Sequence, residues 1–361
     1  MRKIYLFRHA EPDFPGNIRR CIGSRSDYPL SNNGRNTAAK VSQCVKNLRL
    51  SAVFSSPLLR ARETAEILFA NSCKIQICDD LREMDCGLWD GMTFSDIREK
   101  YADIWNLRGE DLTIPPPEGE APAPASERML NAVLHILSIS SGDIAIVSHS
   151  GAIRALVAQL TGMSFNKMRD VPQDYCSVNV LLFDDDTLSV SAAGIDSLSA
   201  PSSEMIESLW STSESPESVR THCVAVRNKA LELSNALPAG MIDTDLLSAA
   251  CELHDLYRTQ KNHASLCAEK MRELGYLRIA EIIEPHHGGL NSEKIDETAL
   301  LFLADKYIYE TNEVSIDERF EKSHSKLASQ EAIEAHKARY NKAKKIEKLY
   351  KSQISYSHTE R

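Results

Sequence analysis

Five residues of types that handle phosphoryl groups fall just after apolar runs in the first half of the chain. Arg8 and His9 end the first run, His149 ends a later one, and Arg60 and Glu83 follow two others. Ligands of open α/β sheets bind outside the carboxyl ends of the strands, so these side chains can converge. Arginine forks match phosphoryl oxygens, a neutral histidine can attack phosphorus, and a carboxylic acid can protonate the leaving oxygen. The five residues predict a phosphate pocket.

Imidazoles and carboxylates form a second group in the other half of the chain. Its members are His222, His254, Asp255, His263, His286 and Asp305. The adjacent His254 and Asp255 can reach one cation where a helix ends. Nitrogen and carboxylate ligands without a thiolate suit Mn²⁺, Fe²⁺, Mg²⁺ or Zn²⁺. We therefore expect a site for one or two divalent metal ions, with Lys306 or Arg258 placed to neutralise charge on a substrate.

The first half alternates short apolar runs with helical patterns. Strands are predicted at 3–7, 52–54, 74–78 and 143–147, a hairpin over 178–183 and 188–190, and helices at 33–48 and 58–69. This alternation is typical of a three-layer α/β domain with a mainly parallel sheet, here residues 1–196. The proline-rich segment 113–126 interrupts it. We expect that segment to be an ordered loop over the site or a flexible insert.

The second half has a different periodicity. Residues 197–217 are rich in serine and punctuated by proline, which predicts a linker, with at most one amphipathic turn near Trp210. Helical spacing follows at 218–233, 243–257, 264–274 and 296–309. Asp243 and Asp296 are expected N-caps, and Gly275 an expected C-cap. Residues 218–361 are thus predicted to be an all-α domain, in which the basic stretch 337–351 forms a solvated helix face.

Composition and charge argue against a disordered, a nucleic-acid-binding or a membrane-spanning protein. The 361 residues suffice for two domains, and the hydrophobic share of 42% excludes wholesale disorder. A net charge of −9 argues against a general nucleic-acid partner, and no apolar run is long enough to span a membrane. No secretory h-region follows Met1, and the nine cysteines have no CxxC spacing. We expect a cytoplasmic protein with reduced thiols and no membrane partner, while its oligomeric state stays open.

Four motifs occur in order in the first half: FRHAE at 7–11, SSPLLRARETA at 55–65, LREMDCGLWDG at 81–91 and VSHSGAIR at 147–154. Together they resemble the histidine phosphatase superfamily, which includes the cofactor-dependent phosphoglycerate mutases. The resemblance implies that His9 is the phosphorylated nucleophile. It implies that Arg8, Arg60 and His149 hold the phosphoryl oxygens. It makes Glu83 the general acid and later the base that activates water, with no cofactor in this domain.

Two departures bear on the activity. Ala10 stands where the family usually has glycine, and the loop CIGSRSDYPL at 21–30 is more similar to that of α-ribazole phosphatases than to the mutase form. No extended mutase lid is evident, so a phosphatase is favoured over a mutase. Arg20 and Arg25 in or next to this loop either contact a second anionic group of the substrate or are solvated.

The order His…His-Asp…Asp in the second half resembles the HD-domain phosphohydrolases over residues 218–325. His222, His254, Asp255 and Asp305 match the metal-ligand positions of that family. His263 and His286 resemble the extra ligands of two-metal members, notably bacterial diadenosine tetraphosphate hydrolases. In that comparison a Gly-containing turn, here Gly288-Gly289, follows the last histidines. His287 is an alternative ligand, a hydrogen-bond donor to the ligands or a surface residue.

The leading hypothesis is a bifunctional phosphohydrolase for small phosphorylated metabolites or nucleotides. The first half would hydrolyse a phosphomonoester, and the second a nucleotide-like phosphoester or phosphoanhydride with divalent metal. In one alternative the HD half senses or binds a nucleotide without turnover. In another, the first half is an α-ribazole phosphatase-like enzyme of a cofactor pathway such as that of cobalamin.

Overall fold

The structure, a computed structural model, describes residues 1–69, 73–287, 290, 293–324 and 329–359, with side chains as far as Ile354. The described residues form two compact units. One comprises Met1–Leu198 with Glu273–Gly275, and the other Ser199–Arg272 with the described part of Tyr276–Arg361. None of the described helices is both long and apolar enough to cross a bilayer.

The first unit is built on a six-stranded sheet. Its strands are β1 (Arg2–Arg8), β2 (Leu50–Ser55), β3 (Ile75–Ile77), β4 (Asp143–Ser148), β5 (Val178–Asp184) and β6 (Thr187–Ile195). In the order β3-β2-β4-β1-β5-β6 the first four are parallel, and β5 and β6 run antiparallel as the predicted hairpin. This confirms the mainly parallel sheet. It brings the carboxyl ends of β1 and β4 side by side, with Arg8 paired to Ser148.

Helices cover both faces of this sheet. They are α1 (Asn32–Val45), α2 (Leu59–Phe69), α3 (Phe94–Lys100), α4 (Ala102–Glu110), α5 (Pro122–Ile139) and α6 (Ser150–Thr161). Ile4 and Leu6 of β1 point toward α5 and α6, in a core that includes Met129 and Ile153. The alternate residue Phe7 points the other way, its ring 5.7 Å from that of Phe69 in α2. Period-two alternation along a buried strand thus produces three layers.

The proline-rich segment is only partly a loop. It was expected to be a loop or insert over 113–126, but α5 already begins at Pro122. Proline suits the first turn of a helix, where its missing N–H has no intrahelical partner.

The second unit consists mainly of helices. They are α7 (Ser203–Thr212), α8 (Glu217–Asn235), α9 (Thr244–Leu253), α10 (His263–Glu273), α11 (Leu277–Ile283), α12 (Glu297–Tyr307), α13 (Ile316–His324) and α14 (Gln330–Thr359). Helix α12 is almost wholly buried and contacts α8, α9, α11, α13 and α14. Asp243 and Asp296 cap α9 and α12 as predicted, and Gly275 has a φ of +81° after α10. One small hairpin, β7 (Ile308–Tyr309) with β8 (Asn312–Glu313), was not predicted.

The basic stretch 337–351 lies within α14. Its polar side exposes lysines that pair with acidic neighbours, as Lys344 does with Asp317. Its other side is buried at Ala343, Ile346 and Tyr350. The stretch is therefore a solvated face on a packed helix.

The segment predicted as a linker, 197–217, contains a packed helix. Ser202 caps α7 by accepting a hydrogen bond from Met205 N, and Ile206, Leu209 and Trp210 are buried. Residues three and four positions apart lie on the same face of a helix, so these three side chains form one buried face of α7. Helix α7 contacts α9. The serines that suggested a linker serve instead as cap and solvent-facing residues, because short hydroxyl side chains bond to nearby backbone groups at helix ends.

Replacing Trp210 tests whether α7 is part of the folded unit. We expect Trp210→Ala to lower the free energy of unfolding by about 3–5 kcal/mol, since it removes a buried aromatic ring. Ser208→Ala, on the exposed side of the same helix, is the matched control. Urea denaturation followed by circular dichroism measures both, and equal midpoints would show that α7 acts as a linker.

Candidate active sites

A cleft of about 500 Å³ opens where β1 and β4 end. Arg8, His9 and Glu83 line it, together with Ser150 and Gly151 at the start of α6. Three of the five residues predicted for a phosphate pocket thus share one cavity. The parallel pairing of β1 with β4 places Arg8 and His9 beside the start of α6, and the hydrogen bonds of Glu83 to Gly151 and Ala152 bring the carboxylate to the same place.

His9 is held as a neutral imidazole with one free nitrogen. Its Nδ1 lies 2.7 Å from the carbonyl oxygen of Ala10, which can only accept, so Nδ1 carries the proton and Nε2 has the lone pair. Burial, and then the neighbouring charges of Arg60 and Arg8, lower the pKa of His9 well below its usual value. A neutral Nε2 is the form that can attack an electrophile.

The Glu83 carboxylate sits on the N-terminus of α6. Oε2 accepts from Gly151 N at 3.0 Å, and Oε1 accepts from Ala152 N at 2.8 Å and Met84 N at 2.8 Å. A side chain at position 151 would collide with it, because an added Cβ would lie 2.7 Å from Glu83 Oε1. Gly151 therefore allows the carboxylate its approach to the helix end, where backbone N–H groups favour an anion.

Arg60 and His149 are fully buried and do not line the open part of the cleft. Arg60 donates to the carbonyl oxygens of Ser26 at 2.8 Å and Gly23 at 3.0 Å, which fixes the guanidinium. The His149 ring lies 5.1 Å from that of His9, and its Nε2 is 2.7 Å from Ser56 Oγ. Burial, then the charge of Arg60, lowers the pKa of His149 well below the usual value.

Imidazoles and carboxylates meet in a second cluster, in the other unit. His222 Nε2 lies 3.3 Å from Asp305 Oδ1, and His254 Nε2 lies 4.0 Å from the same oxygen. His263 Nε2 and His286 Nε2 lie 3.0 and 3.5 Å from Asp255 Oδ1. Two groups of potential ligands result: His222, His254 and Asp305, and Asp255, His263, His286 and His287.

Asp255 joins the two groups. Its Oδ1 faces His263 and His286, while its Oδ2 lies 3.5 Å from His254 Nε2 and 4.0 Å from His222 Nε2. A carboxylate placed with one oxygen toward each group can ligate both of two neighbouring cations.

Three of the histidines are oriented by main-chain carbonyls. The Nδ1 atoms of His222, His254 and His286 lie 2.6, 2.7 and 2.7 Å from the carbonyl oxygens of Glu310, Cys251 and Ile283. Each Nδ1 therefore carries the proton, and each Nε2 presents its lone pair to the cluster. Such bonds fix the tautomer and the ring plane of metal-ligating histidines.

The chemistry of this cluster fits divalent metal. His254 Nε2, His286 Nε2 and Asp255 Oδ1 are buried without a hydrogen-bond partner among the described residues. Burial lowers the pKa of His254 to about 4, which keeps the imidazole neutral. Neutral imidazoles and carboxylates aimed at one small volume, with no thiolate in either group, suit Mn²⁺, Fe²⁺, Mg²⁺ or Zn²⁺.

Comparison with known proteins agrees with both geometries. The sequence model of the histidine phosphatase superfamily (branch 1) matches residues 4–196, more than half of the chain. The chain belongs to the histidine phosphatase superfamily. A second model, that of the HD domain, matches residues 219–310, so the protein is a fusion of a histidine phosphatase domain and an HD domain.

Named relatives cover the histidine phosphatase domain. The chain is 31% identical over 185 residues to the probable phosphoglycerate mutase GpmB of Escherichia fergusonii, covering 50% of this chain and 84% of that protein. GpmB of Klebsiella pneumoniae is 30% identical over 184 residues, with the same coverage. Among solved structures, Bacillus stearothermophilus YhfR is 28% identical, covers 53% of this chain and 95% of its own, and has a TM-score of 0.49.

The two additional arginines predicted for the histidine phosphatase domain behave differently. Arg20 lines the cleft and donates to Gly91 O at 2.9 Å. Arg25 does not line it, and forms a salt bridge of 2.9 Å with Asp85. Of the two alternatives given for Arg25, contact with a second anionic group or solvation, its half-exposed position outside the cleft lining favours the second.

Sequence reasoning missed Tyr175 and Arg154 in the cleft lining. The Tyr175 ring lies 4.0 Å from the Arg8 guanidinium carbon, so the arginine is held by a cation–π contact. No spacing pattern singles out Tyr175, which lies in the loop before β5. Arg154 was recognisable, since it ends the fourth motif one helical turn after Ser150, whose Oγ accepts from it at 2.9 Å.

In the HD domain, both cations predicted near the cluster contact its carboxylates. Lys306 pairs with Asp305, and Arg258 pairs with Asp255. His287 contacts His263 through their Nε2 atoms and belongs to the second ligand group, so it is not a surface residue. Gly288 and Gly289 lie outside the described residues.

The shared carboxylate predicts a specific metal stoichiometry. The purified protein should bind about two Mn²⁺ ions per chain, His222→Ala and His263→Ala about one each, and Asp255→Ala less than one, because Asp255 faces both ligand groups. His135→Ala, an exposed histidine of the other domain, is the control. Mass-spectrometric metal analysis after gel filtration gives the counts. A wild-type count of one, or no loss in Asp255→Ala, would contradict the arrangement.

Proposed function

We propose that the protein is a bifunctional phosphohydrolase. The histidine phosphatase domain hydrolyses a phosphomonoester of a small metabolite through a phosphohistidine on His9. The HD domain hydrolyses a nucleotide-like phosphoester or phosphoanhydride with divalent metal. The observation that supports the first activity best is the free Nε2 of neutral His9 in a cleft that it shares with Glu83.

In the first step, His9 Nε2 attacks the phosphorus and the bond to the leaving oxygen breaks. For this step Glu83 must carry a proton, which the negative phosphoryl group beside it favours when substrate binds; it gives that proton to the leaving oxygen, so the product leaves as an alcohol. Arg8, which lines the cleft, contacts the phosphoryl oxygens, and Arg60 and His149, buried beside His9, stabilise the charge that develops on them. Water then attacks the phosphohistidine, Glu83 takes its proton, and the phosphorus–nitrogen bond breaks to release phosphate and neutral His9.

In the HD domain, His222, His254, Asp255, His263, His286 and Asp305 would hold the metal, with His287 as a further candidate ligand. Bound divalent metal supplies electrostatic stabilisation of phosphoryl oxygens and lowers the pKa of a water. Asp255, which faces both ligand groups, is the feature that supports a two-ion site. Arg258 and Lys306, next to the carboxylate ligands, are placed to contact substrate oxygens.

Two active-site variants separate the activities. His9→Ala should lower the hydrolysis of a generic aryl phosphate in chelator by roughly a thousandfold or more, since no other group replaces the nucleophile. His254→Ala/Asp255→Ala should remove Mn²⁺-dependent hydrolysis across a panel of mononucleotides and dinucleoside polyphosphates. Each variant should retain the other activity, and His135→Ala should retain both. Phosphate release measures monoester hydrolysis, and chromatographic separation of the nucleotide products measures the Mn²⁺-dependent reactions, because cleavage inside a dinucleoside polyphosphate gives two nucleotides without free phosphate.

The outcomes also decide between this proposal and its alternatives. If the double variant forms nucleotide products from every member of the panel as fast as wild type in Mn²⁺, the HD domain senses or binds a ligand without turnover. If α-ribazole phosphate is hydrolysed far faster than all other monoesters, the histidine phosphatase domain serves a cofactor pathway. A thousandfold loss confined to each variant's own reaction supports two independent enzymes.

A further inference from the structure

A cavity of about 280 Å³ borders the metal-ligand cluster of the HD domain. Arg258, His287 and Lys306, all of which contact that cluster, form part of its wall. The remaining lining residues are Tyr309, Arg319, Phe320, Ser323, His336 and Arg339. Most of these residues lie on α13 and α14, which follow residues 219–310, the part of the chain that matches the HD family. One side of the cavity is therefore formed by helices outside the matched residues.

Cationic and aromatic side chains together line the cavity. Four of its lining side chains are arginine or lysine, and the described lining contains no carboxylate. Arg258 and Lys306 are balanced by Asp255 and Asp305, whereas the described residues provide no ion pair for Arg319 or Arg339. Two arginines without a carboxylate partner, beside a site that handles phosphoryl groups, favour an anion between them.

Arg319 is positioned by an aromatic neighbour. Its guanidinium carbon lies 5.2 Å from the centre of the Tyr309 ring, a cation–π distance that holds the side chain over the ring. Its Nε is buried with no hydrogen-bond partner in the described part of the chain. A buried donor without a partner costs free energy unless a ligand accepts from it. Arg319 also lines the neighbouring opening that contains His222 and Asp255, so it faces the cluster from both cavities.

We propose that this cavity binds a second phosphoryl group of the HD-domain substrate while the first lies at the metal-ligand cluster. The inference rests on the proposed HD activity and specifies its substrate class: nucleotides with two or more linked phosphoryl groups. A phosphomonoester has no second phosphoryl group to place between Arg319 and Arg339. The pocket therefore selects phosphoanhydrides over monoesters, and both arginines determine specificity by contacting the phosphoryl group next to the reacting one.

The test compares ligands that differ by one phosphoryl group. Binding of α,β-methylene ADP and of AMP is measured by calorimetry on the full chain loaded with Mn²⁺ and freed of excess metal. All proteins carry His9→Ala, so that the histidine phosphatase domain turns over neither ligand. Arg319→Gln/Arg339→Gln is compared with Lys337→Gln/Lys345→Gln, which removes the same charge from exposed positions of α14 outside the cavity lining.

We expect the parent protein and the lysine variant to bind methylene ADP roughly ten- to a hundredfold more tightly than AMP. Hydrogen bonds between arginine and a charged phosphoryl group contribute affinity of that size. In the arginine variant the two affinities should become nearly equal. The KM for Mn²⁺-dependent ADP hydrolysis should rise about tenfold while kcat changes little, because the lost contacts are made equally in the ground and transition states. Arg339→Gln alone is measured as well, in case the loss of the partly buried Arg319 impairs folding.

Failure of this inference is distinguishable from failure of the proposed function. If ADP is hydrolysed and both double variants keep the same preference for methylene ADP, the cavity does not bind the second phosphoryl group although the HD domain is an enzyme. If no nucleotide is hydrolysed but the preference is lost only in the arginine variant, the cavity binds polyphosphate and the HD domain is not catalytic.

Discussion

Four histidines in the two halves of this chain donate Nδ1–H to main-chain carbonyl oxygens: His9, His222, His254 and His286. Because a carbonyl oxygen cannot donate, each bond fixes the imidazole as the tautomer whose Nε2 has the lone pair. In the histidine phosphatase domain that lone pair is the proposed nucleophile toward phosphorus. In the HD domain three such lone pairs point at shared carboxylates and suit a divalent cation. One local constraint thus underlies both of the proposed phosphoryl chemistries.

The surrounding structure keeps these imidazoles buried and places a carboxylate near them in each domain. Parallel pairing of β1 with β4 places His9 beside His149, and burial among arginines keeps both imidazoles neutral. Glu83 is held separately, on the backbone N–H groups that begin α6. In the HD domain, Asp255 has one oxygen toward each group of ligands. Each half therefore brings imidazole nitrogens together with a fixed carboxylate in a largely buried setting, where electrostatic interactions are stronger than in water.

The sequence predicted most of the candidate site residues in both domains, because these residues lie at the ends of strongly apolar strands and helices. Arg8 and His9 end an apolar strand, and the pair His254 and Asp255 ends an apolar helix. Contacts between residues far apart in the sequence could not be predicted, because no local pattern shows which segments will pack together. Tyr175 contacts Arg8 because the loop before β5 lies next to the end of β1, and the pairing of Arg25 with Asp85 depends on a residue 60 positions away. Helix α7 was predicted as a linker because the segment is rich in serine. Helices α13 and α14 contribute cavity residues that belong to no recognised motif.

The central claim is that His9, in its neutral form, accepts the phosphoryl group without metal. The most direct test is rapid mixing with a ³²P-labelled phosphomonoester in excess chelator, followed by base quench and peptide mapping, at pH 7.5 and at about pH 5.5. The account predicts an acid-labile, base-stable label on the peptide that contains His9 at both pH values, because its pKa lies well below the usual value. It predicts no label in His9→Ala. A label on another residue, or phosphate release from wild type with no labelled enzyme at any time, would contradict the account.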